Sequence, residues 1–183
     1  MPPSRQSILA EAAVAQLCPQ CAVCCNGVLF KDVELQLGDN SRKLESLGLP
    51  LPKLRTPRSA LRTLKFPQPC AVLDGCRCRI YADRPVRCRQ FECALLKSVQ
   101  AGETGVATAL RVIRDARRRA DQVRALLREI GDVDETLALS LRFKRTKRRF
   151  EASPPDDAQA ETFSRLTLAV HDLNLLLRGK FYP

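Results

Sequence analysis

Apolar residues recur in the second half of the chain at steps of three and four: Val106, Ala109, Ile113, Ala116, Ala120, Val123, Leu127 and Ile130. A helix turns once in about 3.6 residues, so this spacing lays the apolar side chains along one face. It predicts a helix from Val106 that stops at Gly131-Asp132. A second helix is expected from about Asp134 to Glu151. A third follows Ser153-Pro154-Pro155, with Phe163, Leu166, Val170, Leu173 and Leu177 on one face. Short connections favour antiparallel neighbours, so the expectation is a three-helix hairpin or bundle.

The first half reads differently. Residues 5–17 predict a short helix, and the alternation Val33, Leu35, Leu37 within Val28–Leu37 predicts a short strand. Across 40–69, Pro50, Pro52, Pro57, Pro67 and Pro69 alternate with Arg and Lys. Proline fixes φ and removes a donor, so a loop without long regular structure is expected there. All nine cysteines lie between Cys18 and Cys93. The chain therefore reads as mainly α, in two parts. Residues 1–97 form a small, irregular, cysteine-rich module, and 98–183 form a helical extension docked on it.

The cysteines carry the chemistry. Cys18, Cys21, Cys24 and Cys25 form one group; Cys70, Cys76, Cys78, Cys88 and Cys93 form another. Two intervening residues let the backbone turn so that both sulfurs face one ion. Sulfur donors select zinc, copper(I) or iron–sulfur clusters over hard cations. All nine are candidate ligands, and nine exceed the four that one tetrahedral zinc uses. Adjacent side chains point apart, so Cys24 and Cys25 reach two metals more easily than one. Two metals, one polynuclear cluster, or a set of ligands with accessory cysteines all fit this count. The opening Cys18-x2-Cys21-x2-Cys24 is shared with bacterial ferredoxins, but the three-residue gap and the Cys-Pro ending are missing. An odd count, and a Met1–Gln20 stretch interrupted by Glu11 and Gln16, argue against a secreted disulfide framework.

Cys18-x2-Cys21-x2-Cys24-Cys25, then Cys70, then Cys78-Arg-Ile80-Tyr81-Ala-Asp-Arg84-Pro85-Val-Arg-Cys88-Arg89-Gln-Phe91, resembles the CxxCxxCC family, also called the YkgJ family. The resemblance covers about residues 15–95 and implies a zinc- or iron-chelating domain. It implies no single reaction, although some larger relatives are associated with lysine methylation of flagellin. Cys76 and Cys93 lie beside the family pattern, and the helical extension lies outside it.

Charge modifies this picture. The net charge is +11 with the cysteines counted as neutral thiols, and the pI is about 9.6. Metal-bound cysteines are thiolates, so part of the Arg excess balances the site itself. Arg84-Pro85 predicts a turn that brings Cys88 back towards Cys78. Arg84, Arg89 and Tyr81 are candidates to surround the bound sulfurs. The runs Arg117–Arg119 and Lys144–Arg149 permit phosphate contact, but thin aromatic interleaving argues against nucleic acid as a partner. His171, the lone histidine, reads as a helix-surface residue, and no catalytic constellation is present. No apolar run is long enough to span a membrane. The expected compartment is reducing and cytoplasmic.

The leading expectation is thus a metal-binding protein holding zinc or iron, an iron–sulfur cluster included. A redox or accessory iron–sulfur protein of a modification enzyme is the second reading. A zinc-stabilised module for nucleic acid or a protein partner, docking through the helical extension, is the third.

Overall fold

The computed structural model describes residues 5–52 and 64–182, with side chains from residue 12 onward. Seven α-helices dominate the described residues, and the chain is mainly α as expected. Four strands of two or three residues pair as two antiparallel ribbons.

Helix α5 (Val106–Glu129) is the spine of the helical part. Its stripe from Ala109 to Leu127 is buried throughout. Three of those positions are alanine, which lets neighbouring backbones approach closely. Helices α7 (Asp157–Lys180) and α1 (Arg5–Cys21) pack on α5, and α4 (Ala94–Gln100) packs on α1 and α5. The predicted stop is a C-terminal cap: Gly131 N–H donates to Arg128 O and Asp132 N–H to Leu127 O. Gly131 takes φ +85° there, a conformation open to glycine.

Helix α6 (Leu139–Ala152) starts five residues after the expected Asp134. The reason is local. One Asp134 carboxylate oxygen accepts from both the N–H and the hydroxyl of Thr136, an arrangement that competes with helix. Asp132 is buried and accepts from Arg142 Nε at 2.9 Å and from Arg145. The side chains that would open a helix are thus spent on the turn. Helix α7 begins where Asp156 accepts from Gln159 N–H at 2.8 Å, and it buries Leu166, Leu173 and Leu177. Phe163 of α7 stacks on Phe143 and meets Phe150 edge-on, joining α6 to α7.

The N-terminal part departs further from expectation. Helix α1 runs past residue 17, through Pro19, and carries Cys18 and Cys21 on its last turn. The strand is limited to β1 (Asp32–Glu34), where Val33 pairs with Phe66 of β2 (Lys65–Pro67). Leu37 is fully exposed instead of continuing the alternation. The segment expected to be a loop contains a six-residue helix, α2 (Ser41–Ser46), whose Asn40 cap accepts from Lys43 N–H. Its residues 53–63, Pro57 among them, lie outside the described residues. Strands β3 (Leu73–Asp74) and β4 (Arg77–Cys78) form the second ribbon, and a single 3-10 turn (Tyr81–Asp83) leads to α3 (Val86–Gln90).

Two apolar cores result. The larger joins α1, α4, α5 and α7. The smaller consists of Val33, Leu35, Leu44, Leu49, Phe66, Val72 and Ile80. Seven of the nine cysteines pack against one or the other.

Candidate metal centre

Cys18 and Cys21 are three residues apart on α1 and so share one helix face. The helix ends at Ala22, which takes φ +56°. Cys25 and Asn26 N–H groups both donate to Ala22 O, closing a tight turn that carries Cys24 and Cys25. Cys93 caps α4, and the packing of α4 on α1 brings it to the first group. Cys18, Cys21, Cys24 and Cys93 all pack against the larger core. Cys70, Cys78 and Cys88 pack against the smaller one. Cys25 belongs spatially with the latter: Cys70 N–H donates to Cys25 O at 2.8 Å. The Cys24 and Cys25 sulfurs are 3.6 Å apart and hydrogen-bonded, so this adjacent pair does not point apart as expected, and the two groups meet there.

Backbone N–H groups aim at several sulfurs: Val23 at Cys21, Val72 at Cys70, and Leu95 and Leu96 at Cys93. Such donors favour the thiolate, the form that binds metal. Burial opposes them. It pushes Cys18 up to about 11, with Cys24 and Cys93 adding to the rise. Burial likewise pushes Cys21 up to about 12. Cys88 is raised to about 12 by burial and then by Cys70, Cys24 and Cys78. Cys70 and Cys93 are raised chiefly by burial. The adjacent pair splits: the hydrogen bond from Cys25 lowers Cys24, while Cys25 is raised by holding that proton and by burial.

Arg84 is the cation common to both groups, and it acts against the rise at Cys18 and Cys88. Its guanidinium lies 3.6 Å from the Tyr81 ring centroid, and its Nε donates to Tyr81 O at 3.1 Å. Tyr81 therefore meets the site through Arg84. Arg89 extends from α3 as an exposed side chain. Cys76 packs on neither core; Arg117 Nη1 lies 3.0 Å from its sulfur and also bonds Gln20 O, next to Cys21 in the chain.

The helical half supports the cysteine turns through residues that sequence reasoning did not single out for this role. Arg117 donates to Gln20 O at 2.9 Å and Arg124 to Asn26 O at 3.2 Å. Leu139 N–H donates to Gly27 O at 2.9 Å. A Cβ on Gly27 would meet Ala138 Cα at 3.0 Å, so this close approach requires glycine. The basic runs are partly consumed by such contacts: Arg118 and Arg119 pair with Asp115, and Arg142, Arg145 and Arg149 hold the 130–134 turn. His171 is exposed on α7.

All nine cysteines are free thiols. Among the described residues, no three His, Cys, Asp or Glu side chains are drawn together tightly enough to enclose an ion. The donors are thiophilic in kind, and holding an ion would need at least three of them to move closer together. Among the described residues, no helix is long and apolar enough to cross a membrane. Comparison with family models, curated proteins and solved structures gives no match. The likeness to the CxxCxxCC family therefore rests on the cysteine pattern of the chain itself.

Proposed function

We propose that this chain is a metal-binding protein that holds zinc or iron through thiolates, in the manner of the CxxCxxCC family. The carrying observation is the gathering of thiols from distant segments. Four pack on the larger core, three on the smaller, and Cys25 contacts Cys24 and Cys70 between them. Backbone N–H donors on Cys21, Cys70 and Cys93 support it, because buried free thiols acting as small hydrophobes need none. A bound zinc ion would cross-link these segments, and a bound iron–sulfur cluster would in addition accept an electron. Arg84 offsets the negative charge that the thiolates bring. Free thiols of this kind suit a reducing, cytoplasmic compartment.

The test is metal analysis with an absorption spectrum on full-length protein purified without oxygen. Stoichiometric metal is expected. A colourless, zinc-replete preparation assigns zinc; a brown one that bleaches on reduction assigns an iron–sulfur cluster. Folded, monodisperse protein free of metal would contradict the proposal.

A further inference from the structure

We infer that Cys24 and Cys25 form a peroxide-sensitive dithiol, which closes to a disulfide between neighbours and so withdraws two donors from the candidate metal centre. The redox step stands on the geometry of the pair alone. Its effect on metal rests on the metal-binding reading above.

The two sulfurs are 3.6 Å apart and hydrogen-bonded, and theirs is the one sulfur–sulfur contact among the described residues. Neighbouring side chains ordinarily diverge, so the backbone must impose this contact. The turn that carries the pair is tied down along its length. Cys25 and Asn26 N–H groups both donate to Ala22 O, at 2.8 and 2.9 Å, and Leu29 N–H donates to Val23 O at 3.1 Å. The Asn26 side chain accepts from Val28 N–H, and Asn26 O accepts from Arg124 of α5. Cys70 N–H donates to Cys25 O. Ala22 at φ +56° and Gly27 at φ +76° bend the chain at either end. Held in this way, each thiol has the other as its nearest reactive partner. Both residues are half-buried, which suits a small oxidant better than a protein partner.

The oxidant required is a peroxide. One sulfur of the pair, as thiolate, attacks a peroxide oxygen. The O–O bond breaks, and the leaving hydroxide takes up that sulfur's former proton and departs as water, leaving a sulfenic acid. The neighbouring sulfur is already in contact and attacks the sulfenic sulfur. The S–O bond breaks, and the hydroxyl departs with the neighbour's proton as a second water. Two thiols thus lose two protons and two electrons, and one peroxide becomes two waters. A thiol without a sulfur neighbour has no such exit and proceeds to irreversible acids. Neighbouring Cα atoms stand about 3.8 Å apart, inside the usual disulfide range of about 4.4–6.8 Å, so the closed ring is strained and a dithiol reductant opens it readily.

The test treats full-length protein, purified without oxygen, with one equivalent of hydrogen peroxide. Free thiols should fall from nine to seven, and the chain mass by about 2 Da. Alkylation and tandem mass spectrometry should find Cys24 and Cys25 joined and the other cysteines blocked, and dithiothreitol should restore all nine thiols. Cys24→Ser and Cys25→Ser should form no disulfide, while Cys76→Ser should behave as wild type. If either pair variant fails to fold, the wild-type map decides. A bond from the pair to a different cysteine, thiol loss spread over the chain, or no disulfide at all would overturn the dithiol. In protein that carries metal, the ion should leave in step with the disulfide; metal retained by the oxidised chain would overturn the effect on the centre. Folded protein isolated without metal would instead remove the metal-binding reading, and the thiol map would still decide the pair.

Discussion

Helix α5 buries an unbroken stripe from Ala109 to Leu127, while the segment from Cys70 to Cys93 buries Val72, Ile80 and Pro85 amid half-buried thiols. The first region is held as most helical proteins are, by apolar area removed from water along a continuous face. The second has two-residue strands, a five-residue helix and a small core of its own. Small modules of that kind commonly depend on metal or disulfides. The two regions share a chain and a boundary, yet they should respond to different perturbations.

The largest expected difference follows from removing metal. Structural zinc binding is worth on the order of 10 kcal/mol, comparable with the stability of a whole domain. A strong chelator should therefore unfold the thiol region and leave α5 and α7 helical. In a Tyr182→Phe background, Tyr81 fluorescence should report the loss while far-ultraviolet circular dichroism retains most of its helical signal. Coincident loss of both signals would break the comparison.

Next comes pH, because several thiols act together. Burial raises Cys18 from 9.0 to about 11 and Cys21 and Cys88 to about 12. A raised thiol pKa contributes stability that is full below pH 9.0 and is lost as pH climbs towards 11–12. Metal reverses the sign, since it binds thiolates and protons compete with it as pH falls. The melting temperature of the loaded form should therefore rise from acid towards pH 9, while the chelated form, whose thiol region is already unfolded, should show no such rise. Parallel curves would contradict this account.

In the helical region the largest single effect expected is at Asp132. Asp132→Ala removes the acceptor that holds the buried Arg142 and should cost about 3–5 kcal/mol in urea unfolding. It should leave the metal content unchanged. The smallest effect expected is at the α7 cap, where Asp156→Ala should cost about 1 kcal/mol. Metal loss in either variant would show that the helices and the thiol region do not respond separately.

The same contrast decides what could be read from sequence. The α5 stripe and the Leu166, Leu173 and Leu177 face of α7 were legible, because a period of three and four repeats over many turns. The start of α6 was not legible, because it depends on Asp134 and Thr136 closing a local turn. Helix α4, at seven residues, is too short to display a period. The cysteines were identifiable as a group from their spacing. Their division between two cores was not, since it arises from α4 packing on α1 and from the pairing of Val33 with Phe66. Nor could spacing show that Arg117 reaches Cys76 across 41 residues of chain.

Hydrogen exchange followed along the chain, in metal-loaded and chelated protein, tests most directly whether metal holds the thiol region while apolar burial holds the helices. The expected result is that chelation abolishes protection around Ala22–Leu29 and from Lys65 to Cys93 and spares the centres of α5 and α7. Unchanged protection around the cysteines, or equal loss in α5 and α7, would contradict it.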